Sequence, residues 1–197
     1  MSRRLALLAL ALGCAHPVTA PPPPELPRTV AVLTPNNLTG DPLLVAGASF
    51  FEKYATRSAR VTVSDVLAAE ARLQLARRGF DVVPAETVEG GTHGRAPGSA
   101  RAAGELAKQA ELPGLALYLE IRRWDPDAPT HPAFVLVGLA ASLVDPASGR
   151  VLWSADHPVR PVPTPGEVAV GPAYVTAARK VMEELLAPLG AERPPAS

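Results

Sequence analysis

Four side chains suited to polar or aromatic recognition stand at alternate positions: Tyr118, Glu120, Arg122 and Trp124. In an extended strand, residues two apart share one face. Aromatics and arginine are enriched where proteins grip one another, so this face is a candidate partner surface. The competing reading makes the aromatics core beneath a covering helix. It carries more weight, because helices are expected on both sides of the sheet.

Other groupings offer less chemistry. Asp125, Asp127 and His131 have the ligand types for a cation, but Asp beside Pro at a strand end is turn composition. His16, His93 and His157 are scattered, and no H-E-x-x-H occurs. Gly90 to Gly98 followed by Ser99, with Arg95 or Arg101 nearby, offers backbone amides to an anion at a helix start. Glycine-rich loops are more often simply flexible. The segment Asn36 to Pro42 holds one glycine and neither G-x-G-x-x-G nor G-K-[ST]. No G-x-S-x-G nucleophile elbow is found. Glu183 and Glu184 read as surface partners of Arg179 and Lys180. These absences argue against an enzyme and imply no metal or cofactor.

The one cysteine, Cys14, has neither a disulfide partner nor fellow thiols for a zinc site. It follows Arg3-Arg4, an unbroken Leu/Ala run from Leu5 to Leu12, and Gly13. Basic residues, a short apolar run and a small residue before a cut are the parts of an export signal. The run is too short to span a bilayer, which takes about 20 residues. The next segment, AHPVTAPPPPELP, carries six prolines and cannot pack a core. As polyproline II, at about 3.1 Å per residue, it would reach roughly 40 Å. Ala11-Leu12-Gly13-Cys14 resembles the lipobox of bacterial lipoproteins, with Ala where Leu is usual. The resemblance implies a leader over residues 1–13, lipidation with palmitate-type chains at Cys14, and a tether over 14–27. Several chains, at about 0.8 kcal/mol per buried CH₂, would anchor stably. Ala15-His16 supplies no Asp, the residue that in enteric bacteria favours inner-membrane retention, so the outer membrane is expected. Equal totals of 19 basic and 19 acidic residues give no bulk pull toward nucleic acid.

These residues need elements to hold them. Arg28 to Thr34 reads as a strand apolar on both faces and therefore covered on both. Asn36 to Pro42 is a loop. Leu43 to Tyr54 is ambiguous, with a short helix around Ser49 to Tyr54. Thr62 to Arg78 is a helix, capped by Thr62 or Ser64 with Asp65 in its first turn and ended by Gly79. Phe80 to Pro84 is a short strand, Glu89 to Gly98 a loop, and Ser99 caps a helix over Ala100 to Glu111. Leu115 to Trp124 alternates, with Leu115, Leu117, Leu119 and Ile121 toward a core. Phe134 to Val144 and Arg150 to Asp156 form a hairpin around Asp145-Pro146-Ala147-Ser148-Gly149. Residues 157–170 hold four prolines and read as irregular. A last helix runs from Pro172 to Leu186, and residues 191–197 form a loose tail. The expectation is one layered α/β domain over residues 28–190. It has a mixed sheet of about five strands with helices packed on it, in the order β-α-β-α-β-β-β-α.

That order has a familiar look. TVAVLTPNNLTGDP, VTVSDVLAAEARLQLARRGFDVV and LVDPASGRVLWSA resemble segments shared by a group of bacterial envelope domains. The group includes the amino-terminal domain of the Tol-system propeller protein, the curli secretion lipoprotein and a lipoprotein activating a penicillin-binding protein. It extends to envelope lipoproteins of unknown function. The resemblance implies a noncatalytic periplasmic interaction module that assembles or regulates an envelope complex in cell-wall synthesis or transport. Its expected partners are the membrane, through the anchor, and unidentified envelope proteins. The alternatives are a secretion-channel subunit and an enzyme with an unrecognised site. A pore is disfavoured because Phe134 to Val144 is apolar on both faces, unlike a barrel strand.

Overall fold

A computed structural model describes residues 26–46 and 60–190. The leader, Cys14, most of the tether, the short helix expected around Ser49 to Tyr54, and the tail over 191–197 lie outside the described residues. The strands are β1 (Thr29–Val32), β2 (Asn36–Asn37), β3 (Leu44–Ala46), β4 (Val61–Thr62), β5 (Asp81–Val82), β6 (Leu115–Pro126), β7 (Phe134–Val144) and β8 (Val151–Pro163). The helices are α1 (Val63–Arg77), α2 (Ala85–Thr92), α3 (Ala100–Gln109) and α4 (Val170–Leu186), and a 3₁₀ turn closes α4. Six strands form the main sheet in the order β5-β1-β6-β7-β8, with β2 continuing alongside β6 beyond β1. Pairings of β1 and β2 are parallel, and β6-β7-β8 is an antiparallel meander. β3 and β4 make a separate two-stranded ribbon. The layered α/β architecture expected from the sequence is therefore what the chain adopts.

The first strand explains the layering. Val30 and Val32 enter one core with α1 and α4, while Ala31 enters a second with α2 and α3, joined by Leu33 just beyond the strand. α1 starts at a capping box: Asp65 N donates to Thr62 Oγ1, and Thr62 N donates to Asp65 Oδ2. It stops at a Schellman turn, with Gly79 at φ +79° and Phe80 N reaching back to Leu75 O at 3.1 Å. Leu67, Ala71 and Leu75 are fully buried beneath it, so the stripe legible at helical spacing is the core stripe.

Asn36 and Asn37, expected in a loop, pair with Glu120 and Ile121 as β2. Two further expectations fail. Glu89 does not open a loop: α2 continues to Thr92, and His93 ends it in the left-handed conformation. Burial of Val88 and Thr92 favours the helix despite its glycines, and a Cβ at Gly91 would lie 3.1 Å from Ala110 Cβ. Glycine there permits close helix packing, which offsets its poor propensity. The second failure is β8, which runs on through Pro158, Pro161 and Pro163 where irregular chain was expected. β8 is the sheet edge, where a residue without an N–H is tolerated on the outward side.

Candidate functional site

The meander is interrupted where it matters. Ile121 opposes Leu139 and Arg123 opposes Gly138, so Arg122 is an extra residue in β6. A bulge reverses the facing of everything beyond it. Trp124 consequently opposes Val137 and lies in the α1/α4 core, 1% exposed, edge-on to Tyr174 at 6.2 Å. The four residues expected on one face are thus divided. Tyr118, Glu120 and Arg122 share the opposite face, and Trp124 is no part of it.

On that face the helices stop short. The α2/α3 core takes Ala116 and Tyr118 from β6 and nothing farther along the strand. Beyond it, Leu136, Ala140 and Ser142 are half-buried, while Ser154, Asp156 and Val159 are exposed. Pairing puts Asn36, Glu120, Ala140 and Asp156 in one row across four strands. A hydrogen-bonded strip follows this row. Asn36 Nδ2 donates to the Tyr118 hydroxyl at 3.2 Å, which donates to Glu120 Oε2 at 2.9 Å. Arg122 Nε donates to Glu120 Oε1 at 2.7 Å, and its Nη1 to Asp156 Oδ1 at 2.5 Å. The guanidinium spans β7 because Gly138 and Ala140 present almost no side chain beneath it.

The electrostatics follow from these contacts. Hydrogen bonding from Arg122, then Tyr118, holds the Glu120 carboxyl below its ordinary value against the opposing effect of burial. Glu120 in turn raises Arg122. Burial raises the Tyr118 hydroxyl, so it remains a donor. Tyr118 is core beneath α2 and α3, 4% exposed, as the competing reading expected; the strip beyond it is carboxylate, guanidinium and carboxylate, each part-exposed. It suits recognition by hydrogen bonding and contains no nucleophile–base pair.

The weaker candidates are not assembled. Asp125 pairs with Arg123, Asp127 Oδ1 accepts from Phe134 N at 3.3 Å, and His131 is exposed. No three His, Cys, Asp or Glu side chains gather for a metal among the described residues. Ser99 Oγ caps α3, Arg95 Nε donates to the Thr92 carbonyl, and Arg101 pairs with Glu105, leaving no common anion site. Glu183 is exposed; Glu184 pairs with Arg160 of β8, which sequence spacing gave no means of seeing. A shallow groove of about 550 Å³ lies elsewhere, between the end of α3 and the β7–β8 turn, lined by Lys108, Leu112, Leu115 and Pro146.

No family model and no curated protein matches the chain. Among solved structures, the PelC dodecamer from Paraburkholderia phytofirmans is 20% identical, covering 84% of this chain and 89% of that one with a TM-score of 0.52. The likeness shows a shared fold. Lipoprotein GNA1162 from Neisseria meningitidis is 18% identical over 71% of this chain and 83% of its own, with a TM-score of 0.46.

Proposed function

We propose that the chain is a noncatalytic module of the bacterial envelope, lipid-anchored at Cys14 to the outer membrane and facing the periplasm. It docks other envelope proteins, and so assembles or regulates a complex in cell-wall synthesis or transport. The observation that carries this reading is the part-exposed Glu120–Arg122–Asp156 strip, set beside the buried Tyr118, on the part of the sheet face that neither helix layer covers among the described residues. The lipobox-like segment before Cys14 and the proline-rich spacer support the anchoring. In cells, Cys14→Ser should shift the processed protein from membranes to the soluble periplasm. Photocrosslinking from Ser154 should give discrete adducts that Arg122→Glu abolishes. Membrane retention of Cys14→Ser refutes the anchor; adducts indifferent to Arg122→Glu refute the surface.

The dodecameric state of the Paraburkholderia protein favours a second reading, in which copies of this chain join as a ring within a secretion channel. The edge of β8 is ill-suited to strand-to-strand joining over its second half. Pro158, Pro161 and Pro163 remove three N–H groups from that half of the edge.

A further inference from the structure

A bulge in β8 brings the buried His157 imidazole and the half-exposed Arg160 guanidinium together against α4. Leu139 opposes His157 and Val137 opposes Arg160, so β8 carries an extra residue between them. His157 and Arg160 therefore both face α4, although their spacing of three would put them on opposite faces of a regular strand. His157 is 3% exposed. Arg160 Nε donates to His157 Nε2 at 3.0 Å, and Arg160 Nη2 reaches Glu184 Oε1 of α4. The other Glu184 oxygen is 3.9 Å from His157 Nε2. We propose that these three residues form a proton-operated exchange: protonation of His157 moves Glu184 from Arg160 to the imidazolium and releases the Arg160 guanidinium to solvent at the β8 edge.

Hydrogen-bond polarity dictates the exchange. An imidazole accepting at Nε2 carries its proton on Nδ1. A proton taken from water at Nε2 turns that acceptor into a donor. It then faces the Arg160 N–H, donor against donor and charge against charge. The Glu184 oxygen is the acceptor within reach and needs to move about 1 Å to make a charge-assisted bond. Arg160 can leave because its side chain is 45% exposed.

Among the described residues no other charge competes. Asp156 lines the same cavity of about 150 Å³, with Ala155, Leu185 and Pro188, but is held by Arg122 on the far face. From α4, Lys180 Nζ is bound to the Pro163 carbonyl, and Glu183 is exposed, its backbone carbonyl accepting from Arg78 just past the end of α1. β7 brings no charged side chain, and the buried Nδ1 of the ring has no hydrogen-bond partner among the described residues. Burial first, and Arg160 second, hold His157 below its ordinary value, so the neutral arrangement is the resting one near pH 7. The device alters the edge of the sheet with acidity, adding a free cation there and leaving the open face unchanged.

Imidazole and arginine side-chain NMR on the full chain tests this. At pH 7.5, His157 should be the Nδ1–H tautomer, with the Arg160 Nε–H protected from exchange. On acidification the Arg160 protection factor should fall at least tenfold, with the midpoint of the His157 titration. Arg160→Gln should raise that midpoint and Glu184→Gln lower it. In His157→Gln, which keeps an acceptor that does not titrate, Arg160 protection should not vary with pH. An Nε2–H tautomer at pH 7.5, protection that persists through the titration, or loss of protection in His157→Gln overturns the proposal.

Discussion

At the residue scale, Glu120 is the side chain whose partners can be measured most directly. Its folded value lies below the ordinary one because Arg122 and Tyr118 hydrogen-bond the ionised form. Above about pH 4.5 the unfolded carboxylate is also ionised, and the native contacts contribute in full. As pH falls through the native value the carboxylate is protonated and the contribution is lost. Glu120→Gln should therefore flatten the acid limb of stability against pH below about 4.5 while changing neutral-pH stability by under ~1 kcal/mol, as suits a part-exposed ion pair. Urea unfolding at stepped pH reads both. Trp124 marks the opposite case: its burial in the α1/α4 core makes it a packing residue, although its spacing from Tyr118 is that of a surface partner.

At the element scale, the β6 bulge and the β8 bulge at Pro158–Val159 meet across one residue. Gly138 of β7 opposes Arg123 beyond the β6 bulge and the Pro158–Val159 irregularity of β8. A Cβ at Gly138 would lie 2.7 Å from Val159 Cγ2 and 3.2 Å from Arg123 Cβ. Gly138→Ala should then cost about 1–3 kcal/mol by overpacking. Adding Val159→Ala should recover most of it. Denaturant midpoints of the single and double variants provide the cycle, and no recovery would mean that the cost lies in the backbone. The same bulges deliver Arg122 to Asp156 on the open face and Arg160 to His157 on the covered one. Two added residues thus create both polar constellations of the meander.

At the scale of the whole molecule, the outer part of one face of the β6–β8 meander is covered by no helix among the described residues, and its edge carries three prolines. Docking across that face and assembly into a ring make different demands on mass. A ring reading expects the detergent-solubilised protein to sediment as a closed multiple of the processed, lipidated chain at micromolar concentration. A docking module expects a protomer that gains mass with its partner. Analytical ultracentrifugation separates them, and a closed oligomer without partner would favour the ring.

Much of the architecture was written in local pattern. The double-faced apolar run at Val30 to Leu33, the capping box at Thr62 and Asp65, the glycine after Arg78 and the turn at Asp145 to Gly149 each act over a few residues. Their physics is short-range, so the sequence alone determines the layered α/β class, though not α2 or the short strands β2, β3 and β4. Cys14 and its flanks likewise speak without a fold. What only the tertiary structure decided is which side chains meet. Alternation predicts a face until one extra residue reverses it, and nothing local to Arg122 or Pro158–Val159 announces the reversal. Bulges answer to pairing with a neighbouring strand and to the packing of Trp124 and His157 beneath α4. That is a requirement set by distant residues, and it placed Trp124 inside, Arg122 over β7, and Arg160 against a buried imidazole.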